Sequence, residues 1–201
     1  MKAGVLFSGG KDSSLAALLL SENYEVELNT FVFSSGTAIV QIEQAAAALG
    51  FPHHKRVFPS GFLDGMVDMI VQCGYPGDTI QRIHREAIHA LCGLYEVIGD
   101  GTRFGDRVPL LTDSEVRSIS DRHGCSYVRP LFGYPKREVQ RLSARHLIVT
   151  YGETGQIRSG DYEHEIRQEL DRRGISSASI FPQDHEQSLV TGRNSHLEII
   201  A

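Results

Sequence analysis

The 201-residue chain has no tryptophan and only three cysteines, Cys73, Cys92 and Cys125. An odd count without a C-x-x-C pair excludes a disulfide scaffold and points to a reduced, cytoplasmic chain with structural, buried cysteines. Long apolar runs are also missing. The longest, residues 15–20, falls far short of the ~18 residues a membrane span needs. Only Lys2 precedes the apolar residues 3–7, which is not the layout of a signal peptide. Positive charge is scarce: 20 Lys and Arg against 25 Asp and Glu leave a net charge of −5. A protein living on phosphate-backbone contacts shows a basic surplus, so this balance argues against a dedicated nucleic-acid binder, though not against a local basic patch.

What is present is the composition of an ordinary folded domain, 41% hydrophobic and 22% charged. Residues 3–7 form a short, continuous apolar run bounded by Ser-Gly-Gly, as expected of a strand buried on both faces of a parallel sheet. Residues 12–22 carry Leu15, Leu18, Leu19 and Glu22 at helical spacing, with Asp12 or Ser13 available as a cap. Strands are predicted at 25–33, 54–58, 94–98 and 126–131. Helices are predicted at 38–49, 61–73, 79–92, 113–123 and 135–145, the last with Pro135 in its first turn. The alternation implies an α/β fold over residues 1–150: a doubly wound, mostly parallel sheet with helices on both faces. From Gly152 the texture changes. Gly-rich turns, a charged helix at 161–173 and a polar tail at 181–201 are read as a C-terminal appendage, residues 151–201, packed on the core.

The first strand-to-helix turn is Ser8-Gly9-Gly10-Lys11-Asp12-Ser13-Ser14. Two glycines permit positive φ and close backbone approach. Exposed N–H groups at a helix start favour an anion, and Ser8, Ser13, Ser14 and Lys11 add donors and charge. Two common phosphate motifs are absent. A Walker A loop would need glycine at Val5 and Ser or Thr at Asp12, and Gly99-x-Gly101 is followed by Phe104 where a dinucleotide fingerprint needs its third glycine.

S-G-G-x-D-S directly after the first strand resembles the pyrophosphate loop of the PP-loop ATP pyrophosphatase superfamily, which includes GMP, asparagine and NAD synthetases, tRNA thiolases and tRNA-lysidine synthetase. Residues 99–107 resemble that superfamily's G-T-x-x-D-D stretch, with Gly105 in place of the first Asp. The resemblance covers about residues 1–150. It implies ATP with its phosphates on Ser8, Gly9, Gly10, Asp12, Ser13 and Ser14, and its nucleoside near Phe33, Gly101 and Thr102. It also implies Mg²⁺ near Asp106, with Asp100 or Asp12 as other carboxylates. Lys11, Asp12 and Arg103 would serve the chemistry, with Arg107 as a second choice of cation. The implied reaction is attack of an acceptor on the α-phosphorus, giving AMP transfer and pyrophosphate. The acceptor stays open between a small molecule and an RNA, and a homodimer or partner subunit is possible. A non-catalytic nucleotide-binding module, like a universal stress protein, and a subunit active only within a complex are the alternatives.

Other candidates are weaker. Residues 129–131 and 135–139 are similar to a segment of tRNA-modifying members, although Lys136 and Arg137 also read as solvated. His84 and His89 are five apart, which does not suit a zinc pair, and read as solvent- or groove-facing. Arg82 and Arg85 could face a polyphosphate. The tail is open between disorder and an ordered cap contacting substrate through His185 and Arg193.

Overall fold

The computed structural model describes residues 1–153, 162–181 and 186–194. Five strands, β1 (Lys2–Leu6), β2 (Glu25–Val32), β3 (His53–Val57), β4 (Val97–Gly99) and β5 (Ser126–Val128), form one sheet in the order β3-β2-β1-β4-β5. Every pairing is parallel, with Val5 opposite both Leu28 and Gly99. Parallel strands need crossovers, and helices supply them: α1 (Lys11–Ser21), α2 (Val40–Leu49), α3 (Phe62–Cys73), α4 (Gly77–Cys92), α5 (Asp113–His123) and α6 (Lys136–His146).

The sheet divides the core in two. On one face Leu15, Leu20, Ile42, Leu49 and Val139 from α1, α2 and α6 pack together. On the other, Met66, Ile70, Ile83, Ile88 and Ile119 from α3, α4 and α5 do so. Ala3, Val5 and Leu28 are fully buried, which explains why the first strands read as apolar runs. The doubly wound α/β fold expected from the alternation is therefore the fold observed. The strand before α5 is shorter and later than the predicted 94–98, since Leu94 is exposed in the turn after α4. The predicted strand at 126–131 stops at Val128.

Beyond α6 the chain does more than expected of a polar tail. β6 (Leu147–Glu153) and β7 (Glu186–Arg193) pair antiparallel, with a bulge between Ile148 and Val149. Between them α7 (Glu163–Arg172) sends Ile166 and Leu170 into the second core, followed by a single 3₁₀ turn, Ser177–Ser179. β7 runs beside α2, and Val190 joins the first core. The predicted start of the charged helix, Asp161, lies outside the described residues. Among the described residues, no helix is long and apolar enough to cross a membrane.

Candidate active site

In the order β3-β2-β1-β4-β5 the connection reverses direction between β1 and β4. A crevice opens there, beyond the carboxyl ends of the strands, the usual place for a ligand in such sheets. It encloses about 620 Å³. Ser8, Gly10, Lys11, Asp12 and Ser13 line it from the turn after β1; Gly101, Thr102, Arg103 and Asp106 line it from the loop after β4.

The first turn holds itself in shape. Gly9 sits at φ +79°, which only glycine adopts without strain. Ser13 Oγ accepts from Ser8 N–H at 3.3 Å and donates to the Gly10 carbonyl at 3.2 Å. Ser8 Oγ accepts from Gly10 N–H at 3.3 Å. Neither Asp12 nor Ser13 caps α1, contrary to expectation. The N-cap is Gly10, which has no side chain, and the missing acceptor comes from β7: Lys11 N–H donates to Ser188 Oγ at 3.2 Å. Val190 N–H also donates to the Gly9 carbonyl at 2.9 Å, so β7 lies strapped across the loop. The loop after β4 presses on the same turn. A Cβ on Gly101 would stand 2.6 Å from Ser13 N and 2.7 Å from Asp12 C.

The charges are interlocked. Lys11 Nζ is 3.4 Å from Asp12 Oδ1, and Arg103 Nη1 is 3.7 Å from Asp12 Oδ2. Arg103 also grips Asp106 through Nε–Oδ1 at 2.8 Å and backbone N–H to Oδ2 at 2.9 Å. Burial works against the charge on Arg103, but the hydrogen bond to Asp106 and the Asp12 and Asp106 charges outweigh it and hold the guanidinium above its ordinary value. Asp12 Oδ1 and Arg103 Nη1 are buried without a hydrogen-bond partner, a costly state unless something else satisfies them.

These contacts bear on the implied Mg²⁺. Asp106 was the expected ligand, yet both its oxygens are held by Arg103. Asp100 does not fit either. Thr102 N–H takes its Oδ1 at 2.9 Å, while His84 and Tyr127 take Oδ2 at 2.7 and 2.5 Å. Burial raises the Asp100 carboxyl, but His84, Tyr127 and the Thr102 amide together hold it below its ordinary value. Asp12, whose Oδ1 accepts no hydrogen bond although Lys11 Nζ stands 3.4 Å away, is the carboxylate that fits. Mg²⁺ needs only one or two carboxylates beside phosphates and water.

Not every expected residue reaches the cavity. Gly9 and Ser14 support the turn from behind, Ser14 being fully buried. Phe33 packs against Phe58 and stacks on Phe62, and its N–H donates to Glu165 Oε2 at 2.9 Å. Arg107 is exposed away from the cavity lining. Arg85 pairs with Glu115, and Arg82 turns to Met69 Sδ. Arg193 lies over the ring of Phe51 at 4.6 Å rather than in the site, and His185 lies outside the described residues. Cys92 and Cys125 are buried as expected, but Cys73 is exposed. His84, expected to face solvent or a groove, is buried and lines the cavity. It was missed as a site residue, as were Tyr162 and Ser188, because no local pattern marks them.

A ligand-sized crevice at the switch point of a five-stranded parallel sheet places the protein among doubly wound α/β domains with a glycine-rich turn after the first strand. Within that class the chain belongs to the family of unknown function DUF7411, whose model matches residues 1–192. It is 37% identical, over 96% of both chains, to an uncharacterized protein of Methanocaldococcus jannaschii. The crystal structure of a predicted subunit of tRNA methyltransferase from the same organism superposes with a TM-score of 0.89 at 36% identity, covering 98% of this chain and 100% of that one. A remoter likeness, to the NH3-dependent NAD synthetase of Campylobacter jejuni, has a TM-score of 0.49 at 13% identity over 71% of this chain and 62% of that one.

Proposed function

We propose that the chain is a PP-loop enzyme that binds ATP in this crevice and transfers AMP to an acceptor, releasing pyrophosphate. The observation that carries this is the convergence of the S-G-G-x-D-S turn, Lys11 and Arg103 on one cavity with unpartnered buried polar atoms. The phosphates lie on the N-terminus of α1, where the first N–H groups have no intrahelical partner and the helix dipole favours negative charge. Lys11 and Arg103 neutralise charge developing on the phosphates, and the rigid turn fixes their position before reaction. Mg²⁺, when bound, would be held by Asp12 and would supply further charge neutralisation at the phosphates. The chain's own residues hold and orient the nucleotide.

The test is incubation with α-labelled ATP and Mg²⁺, alone and with cell extract, reading AMP and pyrophosphate. Asp12→Ala is expected to weaken ATP binding at least ten-fold or abolish turnover while keeping the fold. Unchanged affinity and turnover would sink the site. Tight ATP binding with no turnover under any condition favours the non-catalytic module. Turnover only with a co-purified protein favours a subunit of a complex, the role predicted for the M. jannaschii relative.

A specific observation favours an RNA acceptor over a small molecule. Lys136 lines the cavity and starts α6, which carries Arg137, Arg141 and Arg145 in one exposed stripe. Beside it Phe132, Tyr134 and Phe104 stand exposed, Phe104 N–H donating to the Tyr134 carbonyl, and Arg129 lies 4.0 Å over Phe132. Exposed aromatics beside a basic stripe suit stacked bases and a phosphate backbone. Reversing Arg137, Arg141 and Arg145 to Glu should weaken binding of a labelled single-stranded RNA at least ten-fold and flatten its salt dependence, with ATP affinity kept. Equal RNA binding by the variant returns the acceptor to a small molecule.

A further inference from the structure

One polar cluster on the cavity wall is not explained by phosphate binding. His84 comes from the middle of α4 and Asp100 from the end of β4, and their Nε2–Oδ2 separation is 2.7 Å. Both side chains are nearly inaccessible. Asp100 is fixed from three sides, by His84, by the Tyr127 hydroxyl and by the Thr102 amide. The other ring nitrogen of His84, Nδ1, makes no hydrogen bond or ion pair among the described residues, and the ring lines the same crevice as Lys11 and Arg103. An imidazole held at one nitrogen by a buried carboxylate, its other nitrogen free of protein partners among the described residues and its ring lining a ligand cavity, is the arrangement of an oriented proton acceptor.

We propose that His84 is the general base of this site and that Asp100 is its positioning residue. The inference rests on the AMP-transfer reading above and adds to it the class of acceptor: a neutral nucleophile that must lose a proton, an amine or a hydroxyl, rather than a preformed carboxylate or thiolate. In the step, the nucleophile's lone pair forms a bond to the α-phosphorus. The bond from that phosphorus to the α,β-bridging oxygen breaks, and its electron pair leaves with pyrophosphate. The nucleophile's proton passes to His84 Nδ1. The imidazolium so formed is paired with Asp100, which stays ionised. The Nε2–H donated to Asp100 fixes the tautomer that leaves Nδ1 able to accept.

Water is the simplest nucleophile of this class, so slow conversion of ATP to AMP and pyrophosphate is the probe reaction. His84→Gln keeps an N–H for Asp100 but cannot take up a proton. It is expected to bind ATP within about three-fold of wild type by equilibrium dialysis and to turn over ~10²-fold more slowly or worse. His84→Ala is expected to be equally slow and to regain rate with added imidazole in a concentration-dependent way, a response that loss of a merely structural contact would not give. A His84→Gln rate equal to wild type, or an ATP-binding His84→Ala variant that imidazole does not restore, overturns the proposal. Ring ¹⁵N shifts of His84 decide it independently of turnover. The tautomer with its hydrogen on Nε2 and a bare Nδ1 is expected; the opposite tautomer overturns it. Failure of the wild-type chain to bind ATP would instead strike the functional reading, and the ring nitrogens would still report whether His84 is set to accept a proton.

Discussion

At the scale of single residues, the site depends on close approach as much as on charge. Gly101 is the sharpest case. The backbone of the loop after β4 lies so near the first turn of α1 that a methyl group would stand 2.6 Å from Ser13 N. Backbone cannot swing aside as a flexible side chain can, so Gly101→Ala must push the two loops apart. Overpacking of this kind costs about 1–3 kcal/mol. The variant is expected to melt several degrees lower and to lose ATP affinity, both readable in one calorimetric series; wild-type melting and affinity would show that the loops are not held this tightly. The sequence singled out Gly101 as part of a turn, and Ser8, Lys11, Asp12 and Ser13 as part of a phosphate loop, because those patterns are local. It could not show that Asp106 is held by Arg103, since nothing in the spacing says which way a guanidinium three residues back will turn. Nor could it separate His84 from His89 on one helix. Only the packing of α4 beside β4 brings one of them to Asp100.

At the scale of elements, the loop after β1 is completed from the far end of the chain. An α-helix that starts on glycine lacks a side-chain acceptor for its first N–H groups. Here Ser188 of β7 supplies it to Lys11, and Val190 ties the same strand to Gly9. α7 acts likewise on the loop after β2. Glu165 accepts from Phe33 N–H, Ser34 N–H and Thr37 Oγ1, while Lys55 donates to the Ser35 and Thr37 carbonyls. Ser188→Ala removes one neutral hydrogen bond, worth about 0.5–1.5 kcal/mol. The amide of Lys11 is therefore expected to exchange with deuterium about three- to ten-fold faster, and ATP to bind a few-fold more weakly; unchanged exchange would mean that water replaces the hydroxyl at no cost. β6 and β7 were the elements missed in the sequence. Residues 147–151 (Leu-Ile-Val-Thr-Tyr) are rich in β-branched residues and were legible as a strand. β7 was not: its polar residues gain strand character only by pairing with β6.

At the scale of the molecule, stability is spread over charged clusters outside the site. Glu27 on β2 sits in one of them. The hydrogen bond from Lys2, with those from Tyr95 and His54, lowers its carboxyl from 4.5 to about 2 against the opposing effect of burial. A carboxyl depressed in the folded state stabilises fully above its unfolded value and loses that contribution as pH falls through the folded one. The Glu27 contribution is thus present above about pH 4.5 and lost toward about pH 2. Glu27→Gln should show a shallower fall of unfolding free energy across that window in denaturant titrations; an unchanged slope would place the acid sensitivity in other carboxyls. By itself the sequence determined the class of sheet, because apolar runs alternating with helical stripes leave little other way to bury both. It also determined the glycine turn after β1, whose serines hydrogen-bond their own neighbouring backbone. Tertiary structure decided the rest: which carboxylate is left without a hydrogen bond, which histidine meets the cavity, and what covers the loop. Those outcomes depend on groups far apart in the chain, as the Lys11 amide and the Ser188 hydroxyl are at 177 residues, meeting in a crevice. No local spacing encodes such a meeting.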